Sequence, residues 1–411
     1  MLGANPTGGG CAAAPTRPFQ ENATMNVVYL SPHFPPQYHR FCSNLKQLGA
    51  SVLGIADVPR EALAPAVQAS LSDYYRVPDL HDDDALRRAC GWFTHRYGKI
   101  DRLDSLNEYW LATEARLRED FNIFGLRPAD IAAVRHKSGM KDRFRAAGVR
   151  VAEGGLIPSL SAARQLAART GYPMIAKPDA GVGALDTFKL ENDADLARFF
   201  ASPPSVPYVA EAFIDGTIHS FDGLTDRDGR IVFHTAHRYS QGIMETVNEG
   251  RHIAYYSLRE TPPALEAIGR ACVESFAVRE RFFHIEFFQV AAEEYVALEV
   301  NLRPPGGYTT DMFNFASDID VYRAWAELLV HNRTGLAADR RYHCCYASRK
   351  HHLPYRHSHA EIMARYGGQM LMVETVPGVF SSALGDIGYI FRSPQLAVIE
   401  EIVAFVHATG V

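Results

Sequence analysis

Long apolar runs are missing from this sequence. No window approaches the roughly eighteen continuous apolar residues of a spanning helix. No membrane partner is therefore expected. Basic excess is missing too: 42 lysines and arginines face 47 aspartates and glutamates, for a net charge of −5. That removes the electrostatic case for nucleic acid as a partner. No basic stripe interleaved with aromatics stands in for it. Cysteine is sparse. Cys11, Cys42, Cys90, Cys272, Cys344 and Cys345 are scattered through a 411-residue chain that needs no staples. A reducing, cytoplasmic setting is the simplest expectation. The opening MLGANPTGGGCAAAPTRPFQ lacks a basic start followed by a continuous apolar segment. Residues 1–24 read as a disordered tail, not a signal peptide. Two nucleotide fingerprints are absent as well: GxGxxG after the first strand, and GxxxxGK followed by Ser or Thr anywhere.

What is present is globular. Hydrophobic residues make up 47%, aromatics 11% and charged residues 22%, enough for more than one core. MNVVYLSPHFPP at 25–36 predicts a strand and a loop, 38–48 a helix stopped by Gly49, and SVLGIAD at 51–57 a second strand. Such alternation marks an α/β unit, here an open parallel domain over 25–130. Within it, SLNEYWLATEARLR at 105–118 reads as a helix with Leu106, Tyr109, Trp110 and Leu117 on an apolar face. Residues 131–214 read as a small α+β lobe. Its helices cover 137–149, ending at Gly148, a segment capped by Ser161 and stopped by Gly171, and a capped stretch from Glu191. Its strands are YPMIAKP and PYVAEAFI. Residues 215–411 form a second, strand-rich α+β lobe. A turn at Asp226-Arg-Asp-Gly229 joins two extended runs over 219–239. Thr261 caps a helix opening with Pro262. FFHIEFFQV and YVALEVNLRPPGG follow, joined by 291–294, and QMLMVET and LAVIEEIVAFVHA complete the lobe as strand and helix.

The second hairpin carries the first chemical signal. Strand parity puts Tyr295, Ala297, Glu299, Asn301 and Arg303 on one face, and Val296, Leu298, Val300 and Leu302 on an apolar face. Glu286 shares parity with His284, and a tight hairpin brings it near Glu299. Two neighbouring carboxylates repel unless protonated or neutralised. Mg²⁺ suits them, because it takes carboxylate oxygens, water and substrate phosphates, and Asn301 can add a carbonyl oxygen. A solvent-facing polar strand is the competing reading. The second signal is MIAKPDAGVGA at 174–184. Lys177 ends a strand, and Gly181 and Gly183 would let a loop approach a polyphosphate. An ordinary strand end and turn remains open. Lys137, beside Arg135 and before Lys141, also suits a solvated helix start.

In this order, the blocks resemble the ATP-grasp ligases, over 130–330 most strongly. SPHFPP, KIDRLDSLNEYW and FNIFGL extend the likeness toward the carboxylate–amine ligases of that superfamily. The resemblance implies an ATP-grasp fold whose two α+β lobes clasp the nucleotide. It implies ATP with two Mg²⁺, or Mn²⁺. Lys137 and Lys177 match the phosphate-contacting lysines, and Gly181–Ala184 the glycine-rich lid. Glu211 matches the acidic hinge residue near the adenine amino group. The backbone of Ala212, Phe213 and Ile214 would contact adenine. Glu286, Glu299 and Asn301 match the metal ligands, and Arg303 the arginine facing phosphate or acyl phosphate. The usual acidic residue two positions after the glycine that follows the hinge is absent here. Gly216-Thr-Ile-His219 leaves His219 for the ribose side or for a surface role.

The implied reaction moves the terminal phosphoryl group of ATP to a carboxylate, and an amine then displaces phosphate. Small carboxylates and amines, with amino acids as one option, are the expected partners. A homo-oligomer is compatible with the sequence. His237, Arg238, Arg303, Gly306 and Gly307 are candidate substrate contacts, followed by Tyr308. Asp311, Asp318 and Asp320 are candidates for an ammonium recess. The alternatives are a carboxylate–thiol ligase, a carboxylase of the same fold and a nucleotide-binding regulator. RKHHLPYRHSH at 349–359 and His343-Cys344-Cys345 lack clear zinc spacing and read as solvated or structural.

Overall fold

A computed structural model describes residues 25–181, 186–202, 204–337 and 339–410. The tail reading of 1–24 and the lid position Gly183 lie outside the described residues. Three sheets organise the chain. The first is parallel, in the order β3-β2-β1-β4, from β1 (Asn26–Leu30), β2 (Ser51–Ala56), β3 (Asp73–Arg76) and β4 (Arg102–Asp104). The expected helix runs His39–Gln47, and Gly49 follows it at φ 87°, a conformation glycine adopts freely. Phe41 on this helix packs edge-on against Tyr322 and Trp325, with centroids at 4.7 and 5.2 Å. One apolar core, with Val27, Tyr29, Phe282, Phe313 and Trp325, thereby joins the first sheet to the third.

A buried ion network makes a second joint. Arg118 and Arg281 both reach Asp104 Oδ2, at 3.0 and 3.2 Å, and both reach Glu114 Oε2, at 2.9 and 3.3 Å. With two guanidinium groups and two carboxylates, each buried charge has a partner of opposite sign. This joint holds the segment after β4 over the large sheet. That segment begins with a tight turn, Glu108–Trp110, before the helix Leu111–Asp120.

The second sheet is antiparallel, in the order β5-β8-β6-β7, from β5 (Gly154–Leu156), β6 (Met174–Pro178), β7 (Phe188–Leu190) and β8 (Tyr208–Ala212). Met174, Ala176, Tyr208 and Ala210 join Ala163, Leu166 and Leu196 of its two helices in one core. By alternation, Lys177 and Glu211 fall on the face turned away from those helices. The helix caps sit one or two residues from the expected places. Ser159, not Ser161, accepts from Ala162 N at 3.2 Å, and Asn192 caps the next helix, which begins at Asp193. The later helix begins at Pro263, with Pro262 rather than Thr261 at its cap.

The third sheet has eight strands, ordered β13-β12-β9-β10-β11-β14-β16-β15. They are β9 (Thr217–Thr225), β10 (Ile231–Tyr239), β11 (Ala254–Ser257), β12 (Phe282–Ala291), β13 (Glu294–Asn301), β14 (His343–Arg349), β15 (Met370–Thr375) and β16 (Ile387–Ser393). β9 and β10 form the hairpin expected around Gly229, which has φ 87°. In β13 the expected strict alternation fails. A register irregularity opposite Glu286 and Phe287 shifts the parity. Tyr295 and Ala297 therefore lie in the apolar core together with Val300 and Leu302, instead of sharing a face with Glu299. Between β10 and β11 the chain forms a short helix, Ile243–Asn248. Among the described residues, no helix is long and apolar enough to cross a membrane.

Candidate active site

Glu286 and Glu299 are direct cross-strand partners, and His284 stands opposite Asn301. The hairpin thus delivers the expected pair of carboxylates, despite the bulge beside it. One oxygen of each is already held. Glu299 Oε1 accepts from Asn301 Nδ2 at 3.0 Å, and Glu286 Oε1 accepts from His284 Nε2 at 3.2 Å. Burial disfavours the charge on Glu299, yet Lys137, Asn301, Lys177 and Arg303 together hold its pKa below the usual value. Burial likewise works against the charge on His284, but Asp222 and Glu286 raise its pKa to about 10.

The lysines approach from the small lobe. Lys137 opens the helix Lys137–Ala146, and its Nζ donates to Gly181 O at 3.1 Å and lies 3.9 Å from Glu299 Oε2. Asp179 ties this helix start to the chain after β6. Its backbone oxygen accepts from Lys137 N at 2.8 Å, and its side chain accepts from Ser138 N at 2.9 Å. Lys177 is paired with Glu211, and so is Lys141. Burial would raise the Glu211 pKa, but the two lysines bring it down to about 2. Lys141 also donates to Ala152 O at 3.1 Å, and burial lowers its pKa. The sequence reading passed over Lys141. Its signal is the helical i+4 spacing from Lys137, which puts both on one face.

Arg303 follows β13 and reaches two groups. Its Nη2 donates to Asn301 Oδ1 at 3.4 Å, and its Nε lies 4.0 Å from Glu108 Oε2. Glu108 was also missed. It is 6% exposed, and Oε2 is buried without a hydrogen-bond partner. Burial raises its pKa, Arg303 opposes that rise, and Glu299 adds to it. In sequence, Asn107 followed by glutamate looks like a solvated helix start, and only the packing of the first sheet on the third buries it. Gly307 has φ 64°, and its carbonyl accepts from Gln37 Nε2 at 2.7 Å. A side chain there would meet Leu384 Cδ1 at 3.0 Å, whereas one at Gly306 would meet open space.

Several expected contacts are not made. His219 is 4% exposed, bonds its own segment at Thr217 O, and packs on Tyr295 on the face opposite Glu286. It is not placed for a ribose, and burial lowers its pKa. Arg238 stands opposite His219 in the register, on that same far face, and points to Tyr256 Oη at 3.5 Å. His237 has the correct face but 0% exposure, and its Nδ1 donates to Asp222 at 2.8 Å. At the hinge, Ala212 N and Phe213 N already donate to Glu153 O and Pro173 O, at 2.8 and 3.1 Å. Among the described residues, that leaves the Ile214 amide without an acceptor.

The three aspartates are committed too. Asp311 pairs with Arg40 and accepts from Tyr322 Oη at 3.1 Å, Asp318 pairs with Arg392, and Asp320 caps a helix through Arg323 N at 3.0 Å. In the histidine-rich segment, His357 stacks on Phe405 with centroids 3.6 Å apart. Cys344 and Cys345 are buried free thiols.

Among the described residues, no group of three or more His, Cys, Asp and Glu is arranged to hold a metal ion. Glu286, Glu299 and Asn301 instead make a hard-oxygen set of two carboxylates and an amide. That set fits Mg²⁺, which keeps water and substrate phosphates among its ligands.

No protein-family profile matches the chain. It is 21% identical over 315 residues to the L-arginine-specific L-amino acid ligase of Bacillus subtilis, covering 74% of this chain and 75% of that one. It superposes on an L-amino acid ligase from Bacillus licheniformis with a TM-score of 0.69 at 15% identity, covering 93% of this chain and 96% of the other. It also superposes on N5-carboxyaminoimidazole synthetase from Staphylococcus aureus complexed with ADP. There the TM-score is 0.71 at 13% identity, over 92% and 95% of the two chains. The architecture is the ATP-grasp fold, with an N-terminal parallel sheet ahead of the two lobes.

Proposed function

We propose that the protein is an ATP-dependent carboxylate–amine ligase whose carboxylate substrate is an amino acid. The observation that carries this reading is the placement of Arg303 against Glu108, 4.0 Å apart, beside the two facing carboxylates. An amino acid is a zwitterion with its two charges one carbon apart. Arg303 supplies the counterion for the carboxylate. Glu108 Oε2, which lacks a hydrogen-bond donor, supplies one for the ammonium, and a buried acceptor without a donor is costly until one arrives.

The division of labour follows from the residues. Lys137 and Lys177 hold phosphate oxygens as point charges. The Ile214 amide offers a donor to the adenine edge. Glu286, Glu299 and Asn301 would hold Mg²⁺, which would supply positive charge to offset that of the phosphoryl group. The terminal phosphorus of ATP bonds to a carboxylate oxygen of the amino acid as its bond to the ADP oxygen breaks. Arg303 stabilises the charge that develops on the oxygens. The neutral amine of the second substrate then bonds to the acyl carbon, phosphate leaves with the electron pair, and the amine loses its proton. Glu108 does not react; it holds the first ammonium out of this competition.

A carboxylase of the same fold would bring bicarbonate, an anion, to the same place, and Glu108 would repel it. Purified protein incubated with ATP, Mg²⁺ and paired amino acids should release phosphate and yield a dipeptide mass. Phosphate release with bicarbonate but with no amino acid would favour the carboxylase. Release with neither, across a full amino-acid panel, would sink the ligase reading.

A further inference from the structure

Five side chains form one hydrogen-bonded network across β10, β9 and β12. His237 Nδ1 donates to Asp222 Oδ2 at 2.8 Å, and Ser220 Oγ donates to the same oxygen at 2.6 Å. His284 Nδ1 donates to Asp222 Oδ1 at 2.5 Å, and His284 Nε2 donates to Glu286 Oε1 at 3.2 Å. Asp222, His237 and Ser220 have no exposure, and His284 has 6%. The chain therefore ends at the rim of the site, on one metal-facing carboxylate. Glu299, the other carboxylate, is held differently. Its hydrogen-bond donor is the neutral amide of Asn301, and its cation, Lys137, comes from another lobe at 3.9 Å.

We propose that His284 is a positioning residue that fixes Glu286, through Nε2, as the preset arm of the metal site, with Asp222 as its anchor in the sheet. This rests on the ligase reading, in which Glu286 and Glu299 hold a nucleotide-bound cation. Both ring partners of His284 are carboxylates, which only accept hydrogen bonds when ionised, so the ring is held at both ends in one orientation. Outer partners of this kind commonly contribute about 10–100-fold to metal affinity. Glu299, with a neutral donor and a lysine from the small lobe, is then the arm that adjusts when the lobes close.

The test separates the two ring contacts. In His284→Asn the amide replaces Nδ1 and keeps Asp222; in His284→Gln it replaces Nε2 and keeps Glu286. Mn²⁺ binding in the presence of ADP is read by electron paramagnetic resonance, and ADP binding without metal is read by calorimetry. The Asn variant should bind Mn²⁺ about 10–100-fold more weakly with metal-free ADP binding unchanged, and Gln should recover most of the loss. An Asn variant that binds Mn²⁺ like the parent, or equal losses in both variants, would overturn the proposal. If the Asn variant does not fold, Asp222→Asn takes its place. Mn²⁺ affinity must then fall severalfold while ADP binding holds, and an unchanged affinity overturns the proposal. If the parent protein binds neither ADP nor Mn²⁺ with ADP, the ligase reading fails and this inference falls with it. Parent binding with an unaffected Asn variant sinks this inference alone.

Discussion

Beside the small sheet, Lys177 and Lys141 share one buried counterion, Glu211, so two cations face a single carboxylate. On the large sheet, Glu286 and Glu299 face each other across a hairpin, and the nearest lysine stands 3.9 Å off. In the first region every charge has a direct partner; in the second, two carboxylates face each other and are steadied by His284, Asn301 and the more distant Lys137. On the proposed function, a cation would settle at the hairpin carboxylates, whereas a phosphate would have to compete with Glu211 for Lys177. The difference suggests an order of events. The acidic side is ready by backbone register alone. On the proposed function the basic side has to be rearranged: Lys141 would keep Glu211 compensated while Lys177 turns to a nucleotide phosphate.

The strongest blow to the contrast is removal of the acidic side. Glu299→Ala should lower turnover about 1000-fold, roughly 4 kcal/mol of barrier, without unfolding the protein. Phosphate release and a thermal melt check this together, and full turnover in the variant would end the metal assignment.

On the basic side, Lys141→Met should act on stability. Stripping one partner from a buried charge group costs about 3 kcal/mol, read by urea unfolding at neutral pH. The same group sets a pH dependence. The folded pKa of Glu211, about 2, lies below its ordinary value of 4.5. Its contribution is therefore complete above the unfolded pKa and is lost as pH falls from about 5 toward 2. The parent should lose stability through that window, and Lys141→Met should lose less. Parallel curves would show that Lys141 does not govern Glu211.

Between the two sides stands Glu108. Glu108→Gln should raise the amino-acid KM about 10–100-fold, ~2 kcal/mol, and leave nucleotide affinity alone. An equal rise in the KM for ATP would place Glu108 with the nucleotide instead. The smallest effect belongs to Arg238, on the far face of the sheet. Arg238→Ala should change kcat/KM by less than about twofold, and a large loss in a steady-state assay would contradict the strand register.

Much of the acidic side was legible in the sequence. Glu-x-Asn-x-Arg after an apolar strand, and His-x-Glu on the strand before it, need only a period of two and a short turn. The bulge was not legible, because Leu298 carries no mark of it, and Tyr295 and Ala297 were assigned to the wrong face. His219 and Arg238 went astray for a related reason. Their strands are evident, but which face of β9 and β10 meets the site depends on pairing with β12. Asp311 reads like any free acid until Arg40, 271 positions earlier, is packed beside it. Glu108 was hidden in the opposite sense, since a helix-start glutamate next to a capping asparagine is ordinarily wet.

Local chemistry and periodicity thus determined many of the strands, the hairpins and the line of Glu, Asn and Arg at the end of β13, because those follow from neighbours a few positions apart. Tertiary structure decided which charges were spent and which were left open. Lys177 went to Glu211, Asp311 to Arg40, and Glu108, which was not among the candidate acids, kept a buried oxygen without a hydrogen-bond partner. Burial and pairing are properties of surfaces brought together from distant segments, and no spacing along the chain encodes them.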